Sequence, residues 1–442
     1  MIFFTIYAIL FAVAYKVITY KYIKEMINGG NDMSLFGGVV PITGITFLMF
    51  CLFAILTIGY ALGRITIKGV SLGSAGVFII ALVFGCLFYD KLDAQLSGYT
   101  TNALKIVENL GLILFVTSVG FIAGPKFFSN MKKNFTSYVL LGLVIIVTGA
   151  LVAVGCVYIG KFMGETNMEK LSAIVSGLFA GALTSTPAFS AAKASVASAE
   201  MEQLVSVGYG IAYIFGVIGV VLFVQLLPKM MKVNMEEERA KLIVNENASS
   251  VKKSEGKLIN LDDYGIAPFA IAALLGIFIG MIKIPLSSSG LNGTTFSLTT
   301  TGGCLLASLV FGHFGKIGKI NVMPSLTTLK VFRELGLVLF LAGAGISGGA
   351  RFIQEFKIDY FIYGMVMTIL PMIVGFIFAK FILKINVLNT LGSITGGMTS
   401  TPALGTLIHV AGTEDVAAAY AATYPIALVA VVFASQFIII LF

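Results

Sequence analysis

Two short stretches of this chain carry residue types suited to holding a ligand, and each is a version of the other. Residues 177–189 read GLFAGALTSTPAF and residues 392–404 read GSITGGMTSTPAL. They share Gly177/Gly392, Gly181/Gly396, Thr184/Thr399, Ser185/Ser400, Thr186/Thr401, Pro187/Pro402 and Ala188/Ala403. Proline lacks an N–H and leaves a carbonyl four residues back without its helical partner, so a helix passing through it is interrupted. A helix that restarts there points free N–H groups and the positive end of its dipole at whatever lies in front. That arrangement binds an anion without a buried Lys or Arg, which is costly at the centre of a membrane. The hydroxyls of Thr184, Ser185, Thr186, Thr399, Ser400 and Thr401 are the expected donors to a carboxylate, with Pro187 and Pro402 setting the breaks. Unwound carbonyls just before them could hold a cation. The competing reading has the hydroxyls bonding their own helices and the glycines only permitting packing. Duplication of the whole string favours a ligand site.

The elements that must position these strings are membrane spans. The chain has 442 residues, 58% hydrophobic and 11% charged, with mean hydropathy +0.98. Soluble domains carry about a quarter charged residues, so this is an all-α polytopic membrane protein. The net charge of +8 comes from basic residues scattered over loops, as for cytoplasmic flanks of spans, and does not point to nucleic acid. Cys51, Cys86, Cys156 and Cys304 lie in apolar segments without regular spacing, which excludes a disulfide framework or a zinc site. Two histidines exclude a His-rich metal site. No cofactor is implied. No span carries a Ser–Lys, paired-Asp or His–Glu constellation, so an enzyme is not expected.

The apolar segments fall into two collinear sets. The first lies at about 45–63, 71–89, 107–124, 136–160, 171–195 and 203–227; the second at about 265–282, 297–313, 333–349, 361–383, 390–408 and 417–441. Gly59 and Gly63 match Gly276 and Gly280, LVFG at 82–85 matches LVFG at 309–312, and Gly111 and Phe115 match Gly336 and Phe340. Tyr209 and Tyr213 match Tyr420 and Tyr424. If each signature string enters and returns on one side, each repeat has five crossings, and an odd number inverts the second repeat. Domain limits follow: an extra N-terminal span and loop over 1–44, repeats over 45–228 and 265–442, and a polar linker over 229–264, partly helical around 235–243. No small-residue cleavage site follows the first apolar run, so it reads as an uncleaved span. The loops continuous with the linker carry more Lys and Arg, which makes the linker cytoplasmic. Lys16, Lys21 and Lys24 depart from that assignment.

Further candidates stand near the strings. Lys193 and His409 lie just past them and would either contact substrate or snorkel to the interface. Glu108 and Glu334 open matching spans; a local pair of Glu334 with Arg333 is expected, with proton coupling as the other reading. Tyr209, Tyr213, Tyr420 and Tyr424, one turn apart in their spans, line a cavity or only pack; Tyr209 and Tyr424 are taken as substrate contacts. The Gly59/Gly63 and Gly276/Gly280 pairs are expected at close helix crossings.

The paired AGxxTSTPA-type strings, the LGLxLF span starts at 110–115 and 335–340, the LVFG motifs and the late Tyr-x-x-x-Tyr together resemble the aspartate:alanine exchanger family of bacterial transporters. The resemblance covers about 45–228 and 265–442. It implies an antiporter for small carboxylates or acidic amino acids such as aspartate, in the bacterial inner membrane, working by alternating access with an elevator-like slide. The expected partners are a small anionic solute, the lipid bilayer and a second copy of the chain. Family members usually carry paired regulatory domains between the repeats, and only a short linker stands here. A more distant likeness is to sodium:glutamate symporters, so a sodium- or proton-coupled dicarboxylate symporter is the alternative. A channel or structural membrane protein is the alternative of another class, but no ring of charges or polar stripe supports it.

Overall fold

The computed structural model describes residues 34–35, 40–41, 43–67, 70–71, 73–133, 135–240, 259–285, 295–413 and 415–442. The extra first span at 2–20 and most of the linker lie outside them. The described chain is all-α apart from pairs and one triplet of two-residue strands in connections, such as Thr66–Ile67 with Val70–Ser71. In the first half, α1 is Gly44–Arg64, α2 Ala75–Gln95, α3 Thr100–Lys133, α4 Leu140–Phe162, α5 Met168–Ala182, α6 Thr186–Ser195 and α7 Ala199–Met230. A short α8, Met235–Ala240, begins the linker. In the second half, α9 is Ile266–Gly280, α10 Thr299–Phe314, α11 Leu326–Glu355, α12 Ile358–Ile377, α13 Val387–Gly397, α14 Thr401–Ala411 and α15 Val416–Ile440. Single π-turns at Phe135–Val139 and Phe378–Ile382 adjoin α4 and α12. Seven helical stretches among the described residues are long and apolar enough to cross a membrane: 44–64, 100–125, 137–162, 199–230, 326–355, 358–382 and 416–440.

The third helix of each half is far longer than its apolar run suggests. The expected segments 107–124 and 333–349 become α3 over 100–133 and α11 over 326–355. Their polar ends continue the helix because Ser325 caps α11 through the Thr328 N–H and because Lys and Glu are good helix formers. The carboxylate of Asp262 takes the N–H groups of Ala267, Ile266 and Tyr264 at the start of α9. Those donors hold it below its ordinary 3.8.

The helices sort into two packed bodies, each drawn from both halves. In the first, α3 lies on α11 and α10, α11 on α2, α1 on α2, and α9 on α10. In the second, α5 packs on α7 and α13 on α15, with α4 and α12 alongside. There α6 packs against α15 of the other half, and α14 against α7. The main seam between bodies is α7 against α11.

Glycine sets the closest crossings of the first body. A Cβ added to Gly111 would lie 2.6 Å from the Phe340 nitrogen, and one added to Gly336 would lie 2.5 Å from the Phe115 nitrogen. These are matching residues of the two halves, so α3 and α11 cross as equals. Gly59 and Gly276 sit where expected: a Cβ at either would lie 2.5 Å from a backbone Cα, of Val77 and Cys304 respectively. Between helices in lipid such approach substitutes for the missing hydrophobic drive. Gly336→Ala should therefore destabilise the purified protein by about 1–3 kcal/mol, the usual cost of overpacking. Thermal unfolding in detergent reads this; an unchanged midpoint would show that the crossing relaxes freely.

Candidate functional site

Each signature string forms a helix, a three-residue break and a second helix. In the first, α5 ends at Ala182 and α6 starts at Thr186. In the second, α13 ends at Gly397 and α14 starts at Thr401. Both first helices stop in the same way. Thr184 N–H donates to Gly181 O and Ser185 N–H to Ala180 O; Thr399 N–H donates to Gly396 O and Ser400 N–H to Thr395 O. This is a Schellman ending, which places one residue in the left-handed region and is usually built on glycine. Here that residue is threonine, Thr184 at φ 54° and Thr399 at φ 50°. A β-branched residue there is strained by about 1–3 kcal/mol.

The hydroxyls explain why threonine is kept. Thr184 Oγ1 donates to Met398 O at 3.1 Å, and Thr399 Oγ1 donates to Leu183 O at 2.8 Å. Each break thus satisfies a carbonyl freed by the other, and the two breaks lie in contact. Thr184, Ser185, Thr186, Thr399 and Ser400 are all buried, none more than 7% exposed.

The two restarting helices differ. Ser185 Oγ accepts the Ala188 N–H at 3.3 Å and caps α6. Ser400 holds the same position before α14, yet its side chain makes no cap bond. Its Oγ is buried with no hydrogen-bond partner. Pro187 and Pro402 fall in the first turn of α6 and α14. The prolines therefore start the second helices, where a missing N–H costs nothing, and the carbonyls four residues before them, Leu183 O and Met398 O, are the ones the opposite threonines satisfy.

Tyr209 is fully buried behind the first break. It stacks on Phe189 at 4.0 Å between ring centroids and on Tyr213 at 4.7 Å. Tyr424 is half-buried and stacks on Tyr420 at 5.1 Å.

The ends of the two strings are anchored differently. Lys170, in the first turn of α5, bonds Glu355 at the end of α11 at 2.8 Å. Lys193, near the end of α6, pairs with Glu108 of α3, and Ser347 of α11 donates to the same carboxylate at 3.0 Å. Both ends of the first string thus touch the last three turns of α11 or what those turns hold. The second string meets α8 instead. Glu238 accepts the Val387 N–H at 2.8 Å at its start. A Cβ on Gly412 at its end would lie 3.3 Å from the Arg239 guanidinium.

Lys193 does not snorkel: both it and Glu108 are 6% exposed. Sequence spacing singled them out separately, but their pairing spans 85 residues and no local pattern reports it. His409 is exposed. Glu334 accepts a hydrogen bond from Tyr60 at 3.0 Å. The described residues hold no group of three or more His, Cys, Asp or Glu placed to bind a metal ion.

Long apolar helices, two broken helices in contact and small-residue crossings define a multi-pass membrane protein of the permease type. A family model described as a predicted permease membrane region matches residues 51–229 and 268–440. The chain belongs to the aspartate–alanine exchanger family. It is 29% identical to an uncharacterized transporter of Bacteroides thetaiotaomicron, covering 86% of this chain and 96% of the relative. It is 24% identical to an uncharacterized transporter of Desulfotalea psychrophila, over 88% and 96%. It is 23% identical to a putative transport protein of Edwardsiella ictaluri, over 90% and 99%. The alignment to the first runs over 536 positions, longer than the 442 residues here, so that relative carries residues this chain lacks. The protein is a membrane transporter, not an enzyme.

Replacing Thr399 by Val keeps the shape and removes the donor to Leu183 O. It should cost about 1–3 kcal/mol, the penalty for a buried group left unpaired, while Thr399→Ser should stay within about 0.5 kcal/mol of the parent. Thermal unfolding of the two purified variants reads the difference; equal midpoints would show that the cross-break bond contributes nothing.

Proposed function

We propose that the protein is a secondary antiporter exchanging small carboxylates or acidic amino acids, with the carboxylate held where the two breaks meet. The observation that carries this reading is the reciprocal pair of bonds between Thr184 and Met398 and between Thr399 and Leu183. It brings the N-termini of α6 and α14 to one place inside the apolar bundle. Two positive dipole ends and their free N–H groups then face one small volume. Ser400, buried, at a helix start and without a partner, is the donor left over for the solute. Thr184 and Thr399 hold the breaks together, while Ser400, with Thr401 beside it in sequence and Thr186 at the matching place in the other string, contacts the carboxylate. Pro187 and Pro402 set the helix starts.

The strings are re-entrant in this reading. Both ends of the first lie by the end of α11, both ends of the second lie by α8, and the middles touch. Two hairpins entering from opposite faces, in halves that run in opposite senses, satisfy all of these contacts. With α8 and the linker cytoplasmic, the first hairpin enters from outside. Inverted repeats with broken helices at midplane are the usual architecture of such carriers. The sorting of helices into two bodies supports alternating access by movement of the hairpin body against the other.

An ion-coupled symporter is the second reading. The C-terminal ends of α5 and α13 meet at the same place, and such ends suit a sodium ion. Counterflow into proteoliposomes separates the two. Vesicles loaded with aspartate, glutamate, succinate or alanine should take up labelled solute without a sodium gradient; uptake that strictly needs sodium and no internal solute would make the protein a symporter. Ser400→Ala should cut exchange tenfold or more without lowering the unfolding midpoint, because Ser400 Oγ has no internal bond to lose. Exchange at the parent's rate would remove Ser400 from the site.

A further inference from the structure

Among the described residues, four ion pairs cross the seam between the two bodies. Lys193 of α6 pairs with Glu108 of α3. Lys105 of α3 meets Glu202 of α7 at 2.9 Å. Arg351 of α11 meets Glu200 of α7 at 2.8 Å and also donates to Gln203. Lys170 of α5 meets Glu355 of α11 at 2.6 Å. Lys105, Glu108, Lys193, Glu202 and Ser347 line one small cavity. In every pair one partner belongs to the hairpin body and the other to the opposite body.

Pulling such a seam apart strands charges, and an uncompensated charge in a buried pair is strongly unfavourable. The sequence supplies replacements. Lys105 and Glu108 are three residues apart on α3, and Arg351 and Glu355 are four apart on α11. At those spacings helix side chains are neighbours. The hairpin body brings Lys170, Lys193, Glu200 and Glu202, two of each sign, with Lys193 and Glu202 facing the same cavity. The four groups that each body contributes to these pairs therefore sum to zero charge.

We propose that these eight groups are a partner-exchange latch. Pairs across the seam hold the two bodies together at this end, and when the bodies part the charges re-pair within α3, within α11 and within the hairpin body. No proton or counter-ion is needed to open it. The device is one-sided: the repeat matches Lys193 to Ile408 and Glu108 to Arg333, so the buried pair has no copy at the other end. It biases the two positions of the bodies toward the one described here. The inference rests on the reading that the bodies move; it does not depend on which solute is carried.

Charge swaps test it. Glu108→Lys with Lys193→Glu keeps an ion pair across the seam but puts like charges three residues apart on α3 and opposite Glu202 in the hairpin body. A static bridge tolerates this swap, whereas an exchanging latch stays shut. Adding Lys105→Glu and Glu202→Lys restores both sets of pairs. The readout is the rate at which a hydrophilic maleimide labels Tyr89→Cys, which lines the cavity, in full-length protein in detergent with the four native cysteines changed to alanine. The double swap should label at least tenfold more slowly than the parent, and the quadruple swap within about threefold of it. Labelling of the double swap at the parent's rate overturns the proposal, as does a quadruple swap that unfolds at the parent's temperature but stays slow. If the buried swap does not fold, the more exposed set serves: Arg351→Glu with Glu200→Arg, then Glu355→Arg and Lys170→Glu, with the same two expected results and the same two that overturn it. The labelling needs no solute, so the expected pattern with no carboxylate exchange would sink the functional reading and leave the latch standing.

Discussion

A helix that stops inside an apolar bundle leaves its last carbonyls without amide partners, and lipid offers none. This protein stops two helices there. Part of the deficit is met locally, by the Schellman bonds of Thr184, Ser185, Thr399 and Ser400. The rest is met across the gap, where each threonine hydroxyl reaches a carbonyl of the other break. Neither break is satisfied alone, so the two must sit together. The strain of a left-handed threonine is accepted at both places because glycine would relieve it and lose the donor.

That pairing governs the rest of the body that contains the two breaks. The second helix of each string packs on the last long helix of the other half, α6 on α15 and α14 on α7. Neither half could form this body without the other. The aromatic stack of Phe189, Tyr209 and Tyr213 fills the space behind the first break. Both bodies are also held by glycine at almost backbone distance, with Gly111 and Gly336 at the central crossing of the opposite body and Gly177 and Gly208 where α5 meets α7.

The charges follow from the same division. Ion pairs join the two bodies at one end of their seam. The exposed ones contribute little individually, and among the pairs described across the seam the Glu108–Lys193 pair is the most buried.

Much of this architecture was legible in the chain. The twelve apolar segments and the position of both breaks followed from hydropathy and from the duplicated Thr-Ser-Thr-Pro-Ala strings, because span length and helix punctuation are local properties. The glycine pairs announced close crossings for the same reason. Local pattern was less informative about roles. The prolines were read as marking the breaks, and each also begins the second helix of its string. Lys193 was read as a surface or substrate cation and is half of a buried pair. Tyr209 was read as a substrate contact, and its ring stacks between Phe189 and Tyr213 behind the first break. The sequence by itself determined that this is a helical membrane protein with two matching, interrupted elements, since hydrophobicity, proline and glycine act over a few residues. Only the tertiary structure decided that Thr184 and Thr399 serve each other, that Ser400 is left without a partner, and that four charges find theirs across the seam. Those outcomes depend on contacts between residues up to about two hundred positions apart, which no spacing along the chain encodes.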